Sequence, residues 1–525
     1  WHDPALLRRE GWPGFAEALR LVQAPLAPPP PEARRRLAYD ELLAGQVALA
    51  IVRARVRERP GRALSGDGRL RAQALARFGH RPTEGQSRAL AEIDGDLAAP
   101  RRMLRLLQGD VGSGKTLVAL LAMLRAVEAG AQAALMAPTE LLARQHLRTL
   151  EALSPAPVAL LTGSVTGRAR AAVLEGLADG SLPLVVGTHA LVQEGVAFAD
   201  LALAVIDEQH RFGVDQRLAL RAKARPPGGL PPGRNVGDVA RDFQPHQLMM
   251  SATPIPRTLA MTYYADLDVS TIDELPPGRT PILTKLVSDA RREEVTGRVR
   301  EAALTGRQVY WVCPLIEESE TLQLQTAVET YETLIAALPE LNVGLVHGRL
   351  APAEKAAVMD AFTRNEVQLL VATTVIEVGV DVPNASLMVI EHAERFGLAQ
   401  LHQLRGRVGR GSGKSTCLLL YRAPLGETAK ARLAILRDSE DGFRIAEEDL
   451  RLRGEGDVLG TRQSGMPGFR IARPEVHGKY LGAARDDAQL VLSRDPTLTS
   501  ARGQALRQLL YLFGKDEAIT LIRAG

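Results

Sequence analysis

Residues 109 to 116 read Gly109-Asp110-Val111-Gly112-Ser113-Gly114-Lys115-Thr116, and no other stretch limits the possible folds as much. The pattern G-x-x-x-x-G-K-[ST] makes a loop whose backbone N–H groups wrap phosphates, because glycines let the main chain approach closely. Such a loop needs a strand before it and a helix after it. The run 104–107 is apolar enough for a buried strand, and 117–128 has helical spacing stopped by Gly130. A strand–loop–helix of this kind belongs in an α/β sheet with a nucleoside triphosphate site.

The rest of the chain agrees with that class. From about residue 70, short apolar strands alternate with helical stretches, at 133–137, 184–186, 203–206 and 247–250. A second series follows at 309–312, 343–346, 368–372, 387–390 and 417–420. Alternation of this sort signals βα units on parallel sheets. Two tandem α/β domains, only the first with a phosphate loop, imply a nucleotide held in the cleft between them. Residues 1–65 are expected to hold an entry segment, a Pro28-Pro29-Pro30-Pro31 connector and a long helix over 32–57, with Leu43, Val47, Ala50, Ile51 and Ala54 on one face. The Arg34-Arg35-Arg36 run reads as a solvated helix face. The boundaries are expected at 66–275, 276–435 and 436–525, with Pro276-Pro277-Gly278 marking the middle one and 225–243 a surface insertion.

Composition bounds the partners. The chain has 525 residues, 46% of them apolar, which is enough for several cores. Its formal charge of +4 is too small to prove a nucleic-acid partner, although the excess is carried by arginine, which suits bidentate phosphate contacts. Cys313 and Cys417 stand far apart, implying neither a disulfide framework nor a zinc site and fitting a reducing cytosol. The most apolar run, 117–138, is broken by Arg125 and Glu128 and falls short of the ~20 residues a membrane span needs. The chain begins at Trp1 without a methionine or a signal-peptide pattern, so further upstream sequence is expected.

Four segments are candidates to carry chemistry. Lys115 would reach the β- and γ-phosphates and Thr116 would hold Mg²⁺. Asp207 closes the strand at 203–206 and so lies at the sheet's carboxyl edge, as the expected Mg²⁺ ligand, with Glu208 as base or water-positioner. Ser251 and Thr253 follow the strand 247–250, where their hydroxyls could bond those carboxylates, although a helix cap is the ordinary role for them. In the second series, Gln403-Leu404-Arg405-Gly406-Arg407-Val408-Gly409-Arg410 sets Arg407 and Arg410 three apart, facing one way if the segment is a helical turn. Across a cleft they would serve as arginine fingers. Gly413-Lys414-Ser415 imitates a second phosphate loop, but Val408 stands where its first glycine is required, so it reads as a turn.

In order, the segments at 109–116, 137–142, 187–190, 207–210, 251–254, 372–381 and 403–410 resemble the motif series of superfamily 2 helicases. More narrowly, DEQHRFGV at 207–214, SATPIPRTL at 251–259, CPLIEESE at 313–320 and DLRLRGEGDVLGTRQSG at 449–465 resemble the RecG family of bacterial ATP-dependent DNA helicases. The resemblance covers essentially the whole chain. It implies two RecA-like domains, with Lys115, Asp207, Glu208, Gln403, Arg407 and Arg410 as catalytic residues. Gln86 and residues Gly109, Asp110, Val111, Gly112, Ser113, Gly114, Lys115 and Thr116 would bind ATP, with Mg²⁺ on Thr116 and Asp207. Phe78 is the counterpart of an adenine-stacking aromatic, although Gly79-His80-Arg81-Pro82 departs from the family's pattern.

The resemblance also implies Ser251, Thr253, Arg453 and Gln463 as coupling residues. Pro138, Thr139, Gly187 and Thr188, placed just after strands, would grip DNA phosphates without reading bases. The expected activity is double-strand DNA translocation that remodels forks and Holliday junctions, by a monomer in the bacterial cytoplasm and nucleoid. Single-strand DNA-binding protein is the expected protein partner. An N-terminal wedge domain belongs to such proteins, and residues 1–65 read as its exit and linker. A transcription-repair coupling translocase and a non-motor phosphate-loop NTPase are the alternatives.

Overall fold

The computed structural model describes residues 4–23, 28–57, 61–208, 244–252, 267–275, 280–314, 320–373, 382–409, 411, 413–453 and 469–515. The chain divides into two compact units. One comprises residues 60–254 and 269–449, and the other 1–59, 255–268 and 450–525.

The larger unit holds two sheets. The first contains β1 (Leu104–Gly109), β2 (Gln132–Met136), β3 (Val158–Leu161), β4 (Leu184–Gly187), β5 (Leu201–Ile206), β6 (His246–Ser251) and β7 (Asp268–Ile272), in the order β3-β4-β2-β5-β6-β1-β7. From β3 to β1 every neighbour is parallel. The second contains β8 (Ile282–Ser288), β9 (Gln308–Val312), β10 (Val343–Val346), β11 (Leu369–Ala372), β12 (Ala385–Ile390) and β13 (Ser415–Tyr421), in the order β10-β11-β9-β12-β13-β8, parallel throughout. Both expected strand series are present. Three further strands, β3, β7 and β8, stand at or near sheet edges.

Strands β1, β2, β4 and β5 are buried along their whole length. Their near-continuous Leu, Val and Ala content follows from that, since a parallel sheet is covered on both faces. The Lys115–Glu128 helix covers one face, with Leu117, Leu120, Leu121 and Leu124 no more than 4% exposed, each burial worth about 1.5–3 kcal/mol. A separate core forms under the second sheet around Val309, Trp311, Leu369, Val371 and Val389.

The smaller unit is helical among the described residues. The Pro31–Arg57 helix packs against the Phe15–Gln23, Leu481–Arg494 and Ala501–Leu512 helices. The chain's two ends therefore share one core, containing Trp12, Tyr39, Leu43, Val47, Leu481, Leu506 and Leu510, rather than forming separate N- and C-terminal regions. Of the predicted helix face, Leu43, Val47 and Ile51 are buried, Ala50 is half-buried and Ala54 is exposed. Residues 36–44 are buried on every side, because helices press on more than one face.

That encirclement changes the polar residues too. Arg34 and Arg35 are exposed as expected, but Arg36 is buried and paired with Asp40. Glu41, 4% exposed, accepts the backbone N–H groups of Arg470, Ile471 and Ala472 at 2.6, 2.7 and 2.8 Å. A buried carboxylate is tolerated only when its oxygens are filled in this way.

Candidate nucleotide site

Parallel register brings distant residues to one edge of the first sheet. Met136 pairs with both Ile206 and Gly187, and Gln108 with Ser251, so the residues following β1, β2, β4, β5 and β6 emerge together. This carboxyl edge is where ligands bind in open α/β sheets.

The phosphate loop leaves β1 at Gly109 and enters its helix at Lys115. Gly114 has φ +85°, and a Cβ there would stand 2.2 Å from Gln86 Nε2. Only glycine satisfies both the backbone and that approach. Gln86 is 3% exposed and donates to the Ser113 carbonyl at 2.8 Å, while its Oε1 accepts from Thr83 N–H at 3.0 Å. It therefore caps its own helix and braces the loop with one amide. Lys115 Nζ donates to the carbonyls of Gly109 and Asp110 at 2.6 and 2.9 Å. Val111 and Ser113 are buried, Gly112 is exposed, and Thr116 is half-buried at the helix start.

Asp207 follows β5, and its N–H donates to Met136 O at 2.9 Å, which seats it in the edge. Burial alone would raise its pKa, but a 2.7 Å hydrogen bond with His146 Nε2, the charges of His146 and Lys115, and the Glu208 N–H hold it below the ordinary carboxylate value. An ionised, 9% exposed carboxylate beside a lysine suits a divalent cation. Glu208 takes φ +49°, a strained conformation for a non-glycine residue of the kind that gathers at functional sites. Ser251, 2% exposed, closes β6 opposite Gln108.

The second sheet presents its arginine segment to this loop. A Cβ on Gly406 would lie 3.0 Å from Val111 Cβ, so the two backbones meet closely. Gln403 is 8% exposed on the Leu398–Arg405 helix, and Arg407 is half-buried beyond it. The helix stops at Arg405, and Gly409 takes φ +80°. Beyond the helix a tight turn carries the chain through Arg407, with Arg407 N–H donating to Leu404 O at 3.0 Å and Val408 N–H to Arg405 O at 3.3 Å. Arg410 lies outside the described residues, as do Thr253, Gln463, the side chain of Arg453 and most of 372–381 and 449–465.

The segments read as a DNA track sit at the same edge. Thr139 caps the Glu140–Leu153 helix, accepting Leu142 N–H at 3.4 Å, with Pro138 half-buried beside it. A Cβ on Gly187 would meet Leu161 O at 2.2 Å, and Thr188 is 5% exposed. Phe78 packs on the first core and edge-on to His80, with ring centroids 5.6 Å apart. Gly413 lies in a bend two residues before β13.

Three groups escaped the sequence reading. His146 occupies a core position on the Glu140–Leu153 helix, in phase with Leu142, Ala143 and Leu150, and a polar residue in an apolar stripe was the available signal. His402 and Arg405 stood inside or beside a motif whose other arginines drew the functional reading. Burial pushes the Cys313 and Cys417 thiols up to about 12.

Known proteins share these features. Residues 83–262 match the DEAD/DEAH box helicase family, 296–412 the helicase conserved C-terminal domain, and 439–517 the family described as ATP-dependent DNA helicase RecG, domain 3, C-terminal. The chain is 57% identical over 444 residues to the ATP-dependent DNA helicase RecG of Escherichia coli O127:H6, covering 84% of this chain and 62% of that protein. It is 51% identical over 501 residues to the Haemophilus influenzae RecG, covering 92% of this chain and 70% of that one. A solved structure of RecG bound to a three-way DNA junction superposes with a TM-score of 0.70 at 40% identity, covering 92% of this chain and 61% of the other. The chain thus spans 62% of the length of its Escherichia coli relative.

Proposed function

Because this chain belongs to the RecG family of ATP-dependent DNA helicases, we propose that it is an ATP-driven double-strand DNA translocase that remodels forks and Holliday junctions. The observation that carries the reading is the meeting of Gly406 with Val111, which sets the arginine segment of one sheet on the phosphate loop of the other. A non-motor NTPase has no use for that second sheet, and the match of 439–517 to a RecG-specific domain favours this reading over a transcription-coupled translocase. The solved relative was bound to a three-way junction, which supports branched DNA as substrate.

In this reading the loop N–H groups of 109–116 and Lys115 take the phosphates, exchanging Lys115's bonds to Gly109 and Asp110 carbonyls for phosphate oxygens. Gln86 would join the loop to the base. Thr116 and the ionised Asp207 would hold Mg²⁺, which when bound neutralises charge on the β- and γ-phosphates. Glu208 orients a water and takes its proton as the oxygen attacks the γ-phosphorus, ADP leaving. Gln403, Arg407 and Arg410 stabilise the developing phosphoryl charge. Ser251 and Thr253, with Arg453 and Gln463, pass nucleotide state onward. Pro138, Thr139, Gly187 and Thr188 grip the DNA backbone.

A monomer acting in the bacterial cytoplasm, at the nucleoid and with single-strand DNA-binding protein, completes the proposal. No helix among the described residues is long and apolar enough to cross a membrane. The test is ATP turnover with forked, plain duplex and single-stranded DNA. Stimulation by duplex-containing DNA is expected. Equal turnover with and without every DNA would overturn the translocase reading.

A further inference from the structure

Asp110, the second residue of the phosphate loop, directs its carboxylate to the other sheet's elements. Oδ1 lies 3.0 Å from His402 Nε2, and Oδ2 accepts the N–H of Gly442 at 3.2 Å. Gly442 is the first residue of the Gly442–Arg453 helix, so this carboxylate sits at a helix N-terminus, where negative charge is favoured.

The histidine's tautomer follows from its other neighbour. Arg405 Nη2 lies 2.9 Å from His402 Nδ1, and a guanidinium can only donate. Nδ1 must therefore accept, which leaves the proton on Nε2, pointing at Asp110. Arg405 is itself 2% exposed, and its Nη1 donates to the carbonyls of Leu436 and Ser439 at 2.6 and 2.8 Å, at the end of the Glu427–Asp438 helix. A buried guanidinium so engaged fixes the His402 ring in place. One hydrogen-bonded chain thus runs from the phosphate loop through His402 and Arg405 to the two helices that lead toward 449–465.

The other end of Asp110 answers to the nucleotide. Its carbonyl is held by Lys115 Nζ at 2.9 Å, a bond that Lys115 gives up on turning to a phosphate. Phosphate arrival therefore removes one of two donors to the Asp110 carbonyl, leaving the Ser113 N–H at 3.1 Å, while its carboxylate stays tied to His402 and Gly442.

We propose that Asp110 and His402 form a transmission clasp, positioning residues that carry the occupancy of the phosphate loop directly to the N-terminus of the Gly442–Arg453 helix. The same helix ends in the first residues of 449–465, so the clasp rests on the reading of that segment as the coupling element. It deepens that reading by naming a route independent of Ser251 and Thr253.

The experiment compares this chain with His402→Ala, Asp110→Ala, the double variant and His402→Gln, whose amide N–H can still donate to Asp110. DNA-stimulated ATP turnover and displacement of a third strand from duplex by the moving protein are both measured. His402→Ala is expected to raise the ATP consumed per third strand displaced by a factor between about 5 and 150, the range of site-to-site couplings. Its KM for ATP should change far less than that ratio. His402→Gln should recover most of the loss, and the double variant should be no worse than the worse single one, as for two residues in one contact. Losses that multiply in the double variant overturn the clasp, as does a parallel fall in turnover and displacement in His402→Ala. A wild-type chain that hydrolyses ATP yet never displaces the third strand refutes the translocase reading instead. The clasp is then decided on turnover alone: non-additive losses support it, additive ones overturn it.

Discussion

Glu41→Ala is the substitution whose cost the structure defines best. One carboxylate, 4% exposed, receives three backbone N–H groups at 2.6–2.8 Å. Hydrogen bonds to a charged group are worth about 1.5–3 kcal/mol each, but the carboxylate's own desolvation offsets part of their sum. After truncation, Arg470, Ile471 and Ala472 keep their N–H groups without this acceptor, and Ala472 is 3% exposed. Water entering the vacated space would recover some of the loss, so the net cost is about 3–5 kcal/mol. For a unit of about 150 residues that lowers the melting temperature by roughly 6–20 °C. Glu41→Gln should recover only part of the loss, because its carbonyl oxygen can still accept Ile471 and Ala472 N–H while its NH2 faces the Arg470 N–H.

Urea unfolding followed by tryptophan fluorescence measures this in a Trp311→Phe background, where Trp1 and Trp12 both belong to the smaller unit. A loss under about 1 kcal/mol in Glu41→Ala, or a Glu41→Gln variant as stable as wild type, would refute the reasoning, since a single neutral hydrogen bond could supply that much.

Other outcomes follow from the site. Lys115→Ala and Glu208→Gln should each abolish ATP turnover, with Glu208→Gln still binding a fluorescent nucleotide; near-normal turnover in Glu208→Gln removes that residue from the mechanism. Asp207 has a folded-state pKa below its ordinary value, so its stabilisation relative to Asp207→Asn is fully present above the unfolded value of about 3.9 and is lost as pH falls further, toward the folded one. Urea midpoints taken at stepped pH should show the gap between the two proteins steady at pH 5–6 and closing below about 4; a gap that widens there contradicts the assignment. Arg453→Ala and Gln463→Ala should keep substantial DNA-stimulated ATPase while losing junction unwinding in a protein that carries the wedge domain, and equal losses of both would point to a folding or nucleotide-site defect.

What the sequence determined by itself was local and periodic. The phosphate loop announces its strand and helix because its glycines and lysine act within eight residues. The buried parallel strands show as short apolar runs because both faces are covered. Edge strands were less legible: β8 alternates Ile282, Leu283, Thr284 and Lys285 between buried and exposed, and β3 is four residues long. The position of Asp207 at a carboxyl edge followed from its place after β5, whereas β3, β7 and β8 and the order of the strands in each sheet were not read from the sequence.

Tertiary structure alone decided which side chains meet. His146 reaches Asp207 across 61 residues, Asp110 reaches His402 across 292, and Glu41 reaches the chain 429 to 431 residues away. It also joined the Pro31–Arg57 helix to the Leu481–Arg494 helix in one core. Periodicity states which face of an element is buried but not against what, and a polar residue in that face has no visible partner until the chain closes on it. Hydrogen bonds between elements are set by packing geometry over hundreds of residues, and no local pattern encodes that distance.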